Sequence, residues 1–169
     1  ADPSMASVAL ADGQLPIHAA AAFGLGETVA LLLNAAPGTA TCLHQGFNAL
    51  HTACQHGHVD VVRALLAAQP CLATMASKSD AAYPTCLPIH IAACDGHAPV
   101  VQLLLNAAPQ TAAAAEEELQ QTPLHLAAMW AHPAVIQRLL QAAPQVATAV
   151  DASRKTPLEV ALNLYLYRG

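Results

Sequence analysis

Residues Gln121–Pro144 read QTPLHLAAMWAHPAVIQRLLQAAP. Thr122 stands where a helix N-cap belongs, and Pro123 suits a first helical position because its missing N–H would go unused there. Leu124, Leu126, Ala127 and Ala128 follow on a short first helix. His132-Pro133 interrupts the chain and starts it again, with proline once more at a first helical position. Beyond it Val135, Ile136, Leu139 and Leu140 form one apolar stripe at helical period. Pro144 is expected to end that second helix. The product is an antiparallel helix pair, small-faced on one helix and bulky on the other. Such a pair cannot bury its stripe alone and needs neighbours of its own kind.

Those neighbours occur along the chain. With His125 as origin, His18, His51 and His90 are its equivalents, and Glu159 takes the place in a fifth copy. A Leu-Leu pair recurs at one distance from each histidine: Leu32-Leu33, Leu65-Leu66, Leu104-Leu105 and Leu139-Leu140. A proline follows each origin by nineteen residues, at Pro37, Pro70, Pro109 and Pro144. Gly24, Gly57 and Gly96 stand six residues after the origin, with Ala131 instead in the fourth copy. The origins are separated by 33, 39, 35 and 34 residues, so length varies only in the links between pairs. Fixed pairs with variable links predict a linear stack whose loops project to one side.

The chain at this point resembles the ankyrin-repeat family. Thr122-Pro123-Leu124-His125-Leu126-Ala127-Ala128 carries the T-P-L-H-x-A motif, and Gly57-His58 with Val59–Leu66 matches the family's Gly-His and Val-Val-x-x-Leu-Leu positions. The resemblance covers nearly the whole chain and implies an all-α fold, an α-solenoid of stacked antiparallel helix pairs with projecting loops. Residues 1–169 then form one ankyrin-repeat domain with units at about 12–37, 46–70, 85–109 and 120–144, plus a partial unit at 154–169. Two departures stand out. Thr is replaced by Leu15, Asn48 and Leu87 in three lead-ins, and the glycine expected after the second helix gives way to Ala-Pro or Gln-Pro.

Composition narrows the functions. Hydrophobic residues make up 55% of the 169 and charged residues only 10%, with a net charge of −5. Only six Lys plus Arg are present, scattered rather than clustered, which argues against a phosphate-tracking surface and hence against nucleic acid as a direct partner. No apolar run reaches the roughly 18 residues of a membrane span. The five cysteines, Cys42, Cys54, Cys71, Cys86 and Cys94, are odd in number and lack a C-x-x-C pair. They favour a reducing compartment, cytoplasmic or nuclear, over a disulfide framework. Cys54 sits at an alanine position and reads as a small buried hydrophobe.

The links carry further expectations. Each repeat proline opens a recurring pattern, as in Pro37-Gly-Thr-Ala40-Thr41 and Pro144-Gln-Val-Ala147-Thr148, which Pro3-Ser4-Met5-Ala6-Ser7 also fits. That match favours a segment of a longer array over an artificial lead-in ahead of a native Met5. Cys71–Leu87 is the longest link and reads as a polar tip around Ser77-Lys78-Ser79-Asp80, so 74–82 is expected to tolerate shortening. Glu116-Glu117-Glu118 reads as a solvated acidic loop, or else a patch for a basic partner. The last unit lacks a second helix, and its Leu162, Leu164, Tyr165, Leu166 and Tyr167 do not make a polar end face, so a continuing chain or a covering partner is expected there.

No nucleophile elbow, P-loop, dinucleotide fingerprint or H-E-x-x-H motif is present, and no enzyme activity or cofactor is expected. The resemblance implies that the four origin histidines hydrogen-bond across adjacent units. The H-x-H and H-x-x-C spacings within His51–His58 suggest zinc, but helical geometry splays those side chains apart, so no metal is expected. The resemblance also implies protein–protein recognition by an isolated monomeric domain, its partner another protein or a peptide segment. Two alternatives are a regulatory or scaffolding segment packed on an enzymatic or channel domain of a larger protein, and an ion sensor built on the histidines. In the family, positions four and five residues after each origin line the concave face. Here they are Ala22 and Phe23, Gln55 and His56, Cys94 and Asp95, Met129 and Trp130, Asn163 and Leu164. Their mixture of polar residues with Phe, Met and the single Trp is that of an interface rather than a core. The competing account is that Trp130 fills space beside Ala131. Gln14, Phe47 and Lys155 are expected as loop-tip contacts.

Overall fold

The computed structural model describes residues 3–10, 12–78 and 85–167, with the side chains of 3–4 and 164–167 outside that description. Nine α-helices occur among the described residues. The first helices of the units are α1 (Pro16–Ala22), α3 (Ala49–His56), α5 (Pro88–Cys94), α7 (Pro123–Met129) and α9 (Pro157–Tyr167). The second helices are α2 (Gly26–Ala35), α4 (Val59–Ala68), α6 (Ala98–Ala107) and α8 (Pro133–Ala142). First helices pack on first helices and second on second, so two parallel rows run the length of the stack. The only β-pairing among the described residues is an isolated bridge between His44 and Phe47.

The repeat prolines begin structure as well as end it. Each opens a five-residue 3₁₀ turn, at Pro3–Ser7, Pro37–Thr41, Pro70–Thr74, Pro109–Ala113 and Pro144–Thr148. Units one to four are therefore each helix, helix and 3₁₀ turn. The turn buries its own small residues, with Ala40 and Ala112 fully enclosed and Ala6 at 5% exposure. Pro3–Ser7 takes the same place against α1 and α2 that the later turns take against theirs.

The helix starts correct the capping expected of Thr122. Its hydroxyl does not accept from the first turn. Instead His125 Nδ1 accepts from the Thr122 backbone N–H at 3.1 Å and lies 2.9 Å from the hydroxyl. His18 Nδ1 accepts likewise from Leu15 N–H (3.3 Å) and His90 Nδ1 from Leu87 N–H (3.1 Å). The cap lies in the histidine, so leucine at the N-cap costs nothing essential. Unit two uses a side-chain cap of the ordinary kind, Asn48 Oδ1 accepting from Leu50 and His51 N–H, and in unit five the Thr156 hydroxyl accepts from Glu159 N–H. In unit five Glu159 Oε2 accepts from Thr156 N–H at 2.7 Å.

With Nδ1 accepting, Nε2–H is free to donate, and it reaches forward. His18 bonds the Cys42 carbonyl, His90 that of Ala114 and His125 that of Lys155, at 2.9–3.0 Å. His51 Nε2 stands 3.3 Å from the Cys86 carbonyl. A second row reaches backward: His58, His97 and His132 bond the Ala22, Gln55 and Cys94 carbonyls of the preceding unit at 2.9–3.1 Å. Units one to four are thus joined at each junction by two histidines pointing opposite ways, each worth about 1 kcal/mol net. Unit one has Leu25 where units two to four have the backward histidine.

That second row accounts for the glycines. Gly24, Gly57 and Gly96 have φ of +73°, +71° and +79°, and a Cβ on each would lie 2.5–2.8 Å from Nδ1 of the next unit's backward histidine. Ala131 holds the same left-handed turn at φ +56°. The unit after it carries Leu166, not histidine, at the matching sequence position.

The core lies between the rows. Val61, Leu65, Val100, Leu104, Val135 and Leu139 are fully enclosed, as is Cys54. At the last unit the burial stops: Leu158 is 67% exposed and Leu162 53%, whereas Ile17, Leu50 and Ile89 at the position matching Leu158 are fully enclosed.

Two link expectations are corrected. Glu116 is not a solvated residue. It is 4% exposed, and its carboxylate accepts from the N–H groups of Glu118, Leu119 and Gln121 at 2.7–3.1 Å, folding the link into a closed turn. Glu117 and Glu118 are exposed as expected. In the long link Ser77 is buried, its Oγ accepting from Cys86 N–H at 3.0 Å, and Lys78 N–H bonds the Gly46 carbonyl. Residues 75–78 therefore belong to the framework. Ser79–Ala82 lie outside the described residues.

Candidate functional site

The last turn of each first helix points its side chains away from both rows. The inward Ala20-Ala21, Ala53-Cys54 and Ala92-Ala93 are buried between the first helices. Phe23 follows α1 and is 77% exposed, an expensive place for an unpartnered phenyl ring. Gln55 and His56 are exposed on α3, and Asp95 is exposed at the end of α5. Cys94 and Met129 are half-buried. Trp130 follows α7 at 50% exposure, its indole beside the Cys94 thiol of the preceding unit. Asn163 is half-buried and donates to the Glu159 carbonyl, while the side chain of Leu164 lies outside the described residues.

Some of these residues converge and others do not. Gln55, Cys94 and Asp95 meet Phe47 around a cavity of about 290 Å³ between units two, three and four. Met129, Asn163 and Lys155 border a second hollow of about 250 Å³. Trp130 bridges toward the first through Cys94. Phe23 and Gln14 border neither. Phe47 is half-buried, its ring 5.7 Å from that of His51, so it is less a loop tip than a wall of the cavity. Lys155 presents an exposed side chain, but its carbonyl is occupied by His125.

The first cavity also takes residues that motif spacing did not single out as site residues: Ile91 and Leu126 from helices, and Leu119 and Gln121 from the folded link. The one signal for the link was Leu119, an apolar residue inside a polar stretch, 56% exposed here.

The chemistry at hand is recognition chemistry. Burial first, and Asp95 second, push the Cys94 thiol above its ordinary pKa, so it is not an activated nucleophile at neutral pH. Asp95 is raised by its partial burial, opposed by His97, His132 and His56. Around His51–His58 the ring nitrogens answer to separate carbonyls: His56 to Thr52, His58 to Ala22 and His51 to Cys86. Among the described residues no three His, Cys, Asp or Glu stand close enough to share an ion.

A family model described as ankyrin repeats (3 copies) matches residues 2–74 and 89–165, well over half the chain. The chain belongs to the ankyrin-repeat family. Ankyrin repeats are generally protein-interaction modules without catalysis of their own. The unmatched stretch 75–88 is the long link, where unit two is followed by its extra residues. No curated protein matches the chain. No helix among the described residues is long and apolar enough to cross a membrane.

Proposed function

We propose that this ankyrin stack binds another protein, or a peptide segment of one, through the concave face formed by the last turns of its first helices. The observation that carries the reading is the band Phe23, Gln55, His56, Asp95 and Trp130, which stays exposed although it contains two large aromatic rings. Half-exposed aromatics set among polar neighbours are what interface centres use, and truncating such a hot spot costs about 2 kcal/mol, or roughly thirtyfold in affinity. The chain contributes recognition alone and acts as a monomer in isolation.

The test is selection of ligands from a displayed library of random linear peptides, followed by titration against variants. Trp130→Ala, Phe23→Ala and His56→Ala are each expected to weaken binding at least tenfold with nearly unchanged melting temperature. Ligands indifferent to all three but sensitive to Arg63→Ala and Arg138→Ala would move the binding surface to the second helices.

A further inference from the structure

The cavity beneath the folded link is more than a dent in the exposed band. Its apolar walls are Phe47, Ile91, Leu119 and Leu126, with the Cys94 thiol between them. At about 290 Å³ it lies at the lower edge of small-ligand pockets, which suits one large side chain and a short piece of main chain rather than a nucleotide-sized cofactor.

Two further observations say what that side chain carries with it. Gln121 is only 7% exposed, and its backbone is fully engaged with Glu116, N–H to carboxylate and carbonyl to N–H. Its carboxamide borders the cavity and finds no hydrogen-bond partner among the described residues. The carboxamide is open to the cavity rather than sealed behind it, within reach of a ligand. Its two donors and one oxygen match what a peptide backbone offers in return. The lining also includes two carboxylates, Asp95 and Glu116, and neither lysine nor arginine. Exposed Glu117 and Glu118 stand on the same link, in a chain of net charge −5. The field at the opening is negative.

We propose that this cavity anchors a linear peptide segment that inserts one large apolar side chain, bonds its main chain to the Gln121 carboxamide, and sets an adjacent lysine or arginine against Asp95. The assignment rests on the concave face being the binding surface and narrows it to a partner with an apolar anchor beside a base.

The experiment uses the same random-peptide selection on the whole chain. Enriched sequences should pair leucine, methionine or phenylalanine with a neighbouring lysine or arginine. Gln121→Leu, which keeps volume but removes the amide, should weaken them about tenfold. Ile91→Trp, which fills the cavity, should abolish binding. Bound peptide should also shield Cys94 from iodoacetamide, while the exposed Cys42 and Cys71 continue to react. Melting curves identify an Ile91→Trp chain that fails to fold, and then Gln121→Leu and the shielding decide. Peptides that lose affinity on Trp130→Ala and His56→Ala, yet ignore Gln121→Leu and leave Cys94 reactive, would overturn the anchor while keeping the concave face. Enrichment of acidic peptides, or of apolar ones with no base, would overturn the assigned chemistry. Indifference to every one of these variants, or no enrichment at all, would overturn both readings.

Discussion

Replacing Gly57 with alanine isolates the contact that couples unit two to unit three. Gly57 closes α3 at φ +71°, and the added Cβ would lie 2.5 Å from His97 Nδ1 and 2.7 Å from its Cε1. Three effects follow. An L-residue in this conformation costs about 1–2 kcal/mol. The His97 ring must swing away, which breaks its 3.1 Å bond to the Gln55 carbonyl and removes about 1 kcal/mol. Against these, alanine restricts the unfolded chain and returns about 0.4–1 kcal/mol. The net loss should be about 2 kcal/mol, read as a lower urea midpoint. Gly13→Ala is the control, since Gly13 has φ +81° and nothing within 4 Å of an added Cβ. It should lose about half as much. In Gly57→Ala/His97→Ala the ring is gone, so the double variant should be more stable than the two single losses predict, by about 1 kcal/mol. Ala131→Gly, which relieves the same turn where no histidine follows, should be neutral or slightly stabilising. A Gly57→Ala chain no weaker than Gly13→Ala, or a cycle that closes within about 0.3 kcal/mol, would refute the ring contact as the reason for glycine.

Acid should loosen the stack through its histidines. Burial, only partly opposed by backbone bonds, holds His51 at a pKa of about 4, and burial also lowers His18 and His90. The folded values lie below the unfolded 6.5, so the stability is fully present above about pH 6.5 and is lost as pH falls toward 4, by roughly 3 kcal/mol from His51 alone. Urea midpoints that stay level across that window would contradict this account. Leu104→Ala removes a fully enclosed side chain and should cost about 2–5 kcal/mol, with hydrogen exchange rising first in units two to four. A uniform rise from the first unit to the last would argue against nearest-neighbour coupling.

The stack was legible in the sequence because its spacing rule is rigid: a histidine, a Leu-Leu pair and a proline at constant distances describe a helix pair whatever the links do. Cys54 was legible for the same reason, standing where other units have alanine. The capping was not, because Thr122 suggests a hydroxyl acceptor and only the ring of His125 turned back on Thr122 N–H reveals the reversed roles. The 3₁₀ turns showed as a recurring pattern after each proline, but five residues are too short to display a period. Positions such as Phe23 and Trp130 were legible as surface because the core pattern had no use for them. The cavity was not, since one wall of it comes from Glu116, Leu119 and Gln121 of the link. A run of three glutamates looks solvated until three backbone N–H groups gather on Glu116, and that depends on the fold of the link rather than on any local preference.

The opposed histidine rows bear on how such an array changes length. Each junction among the first four units uses the same two connectors, one thrown forward and one thrown back, seated on backbone carbonyls and on a glycine that carries no side chain of its own. Because the receiving groups are main chain, a unit does not need to know which neighbour it meets. Duplicating or excising a whole unit leaves every connector with a seat. A break in the middle of a unit strands one histidine and one carbonyl on either side. Growth and loss by whole units is thus built into the hydrogen bonding itself.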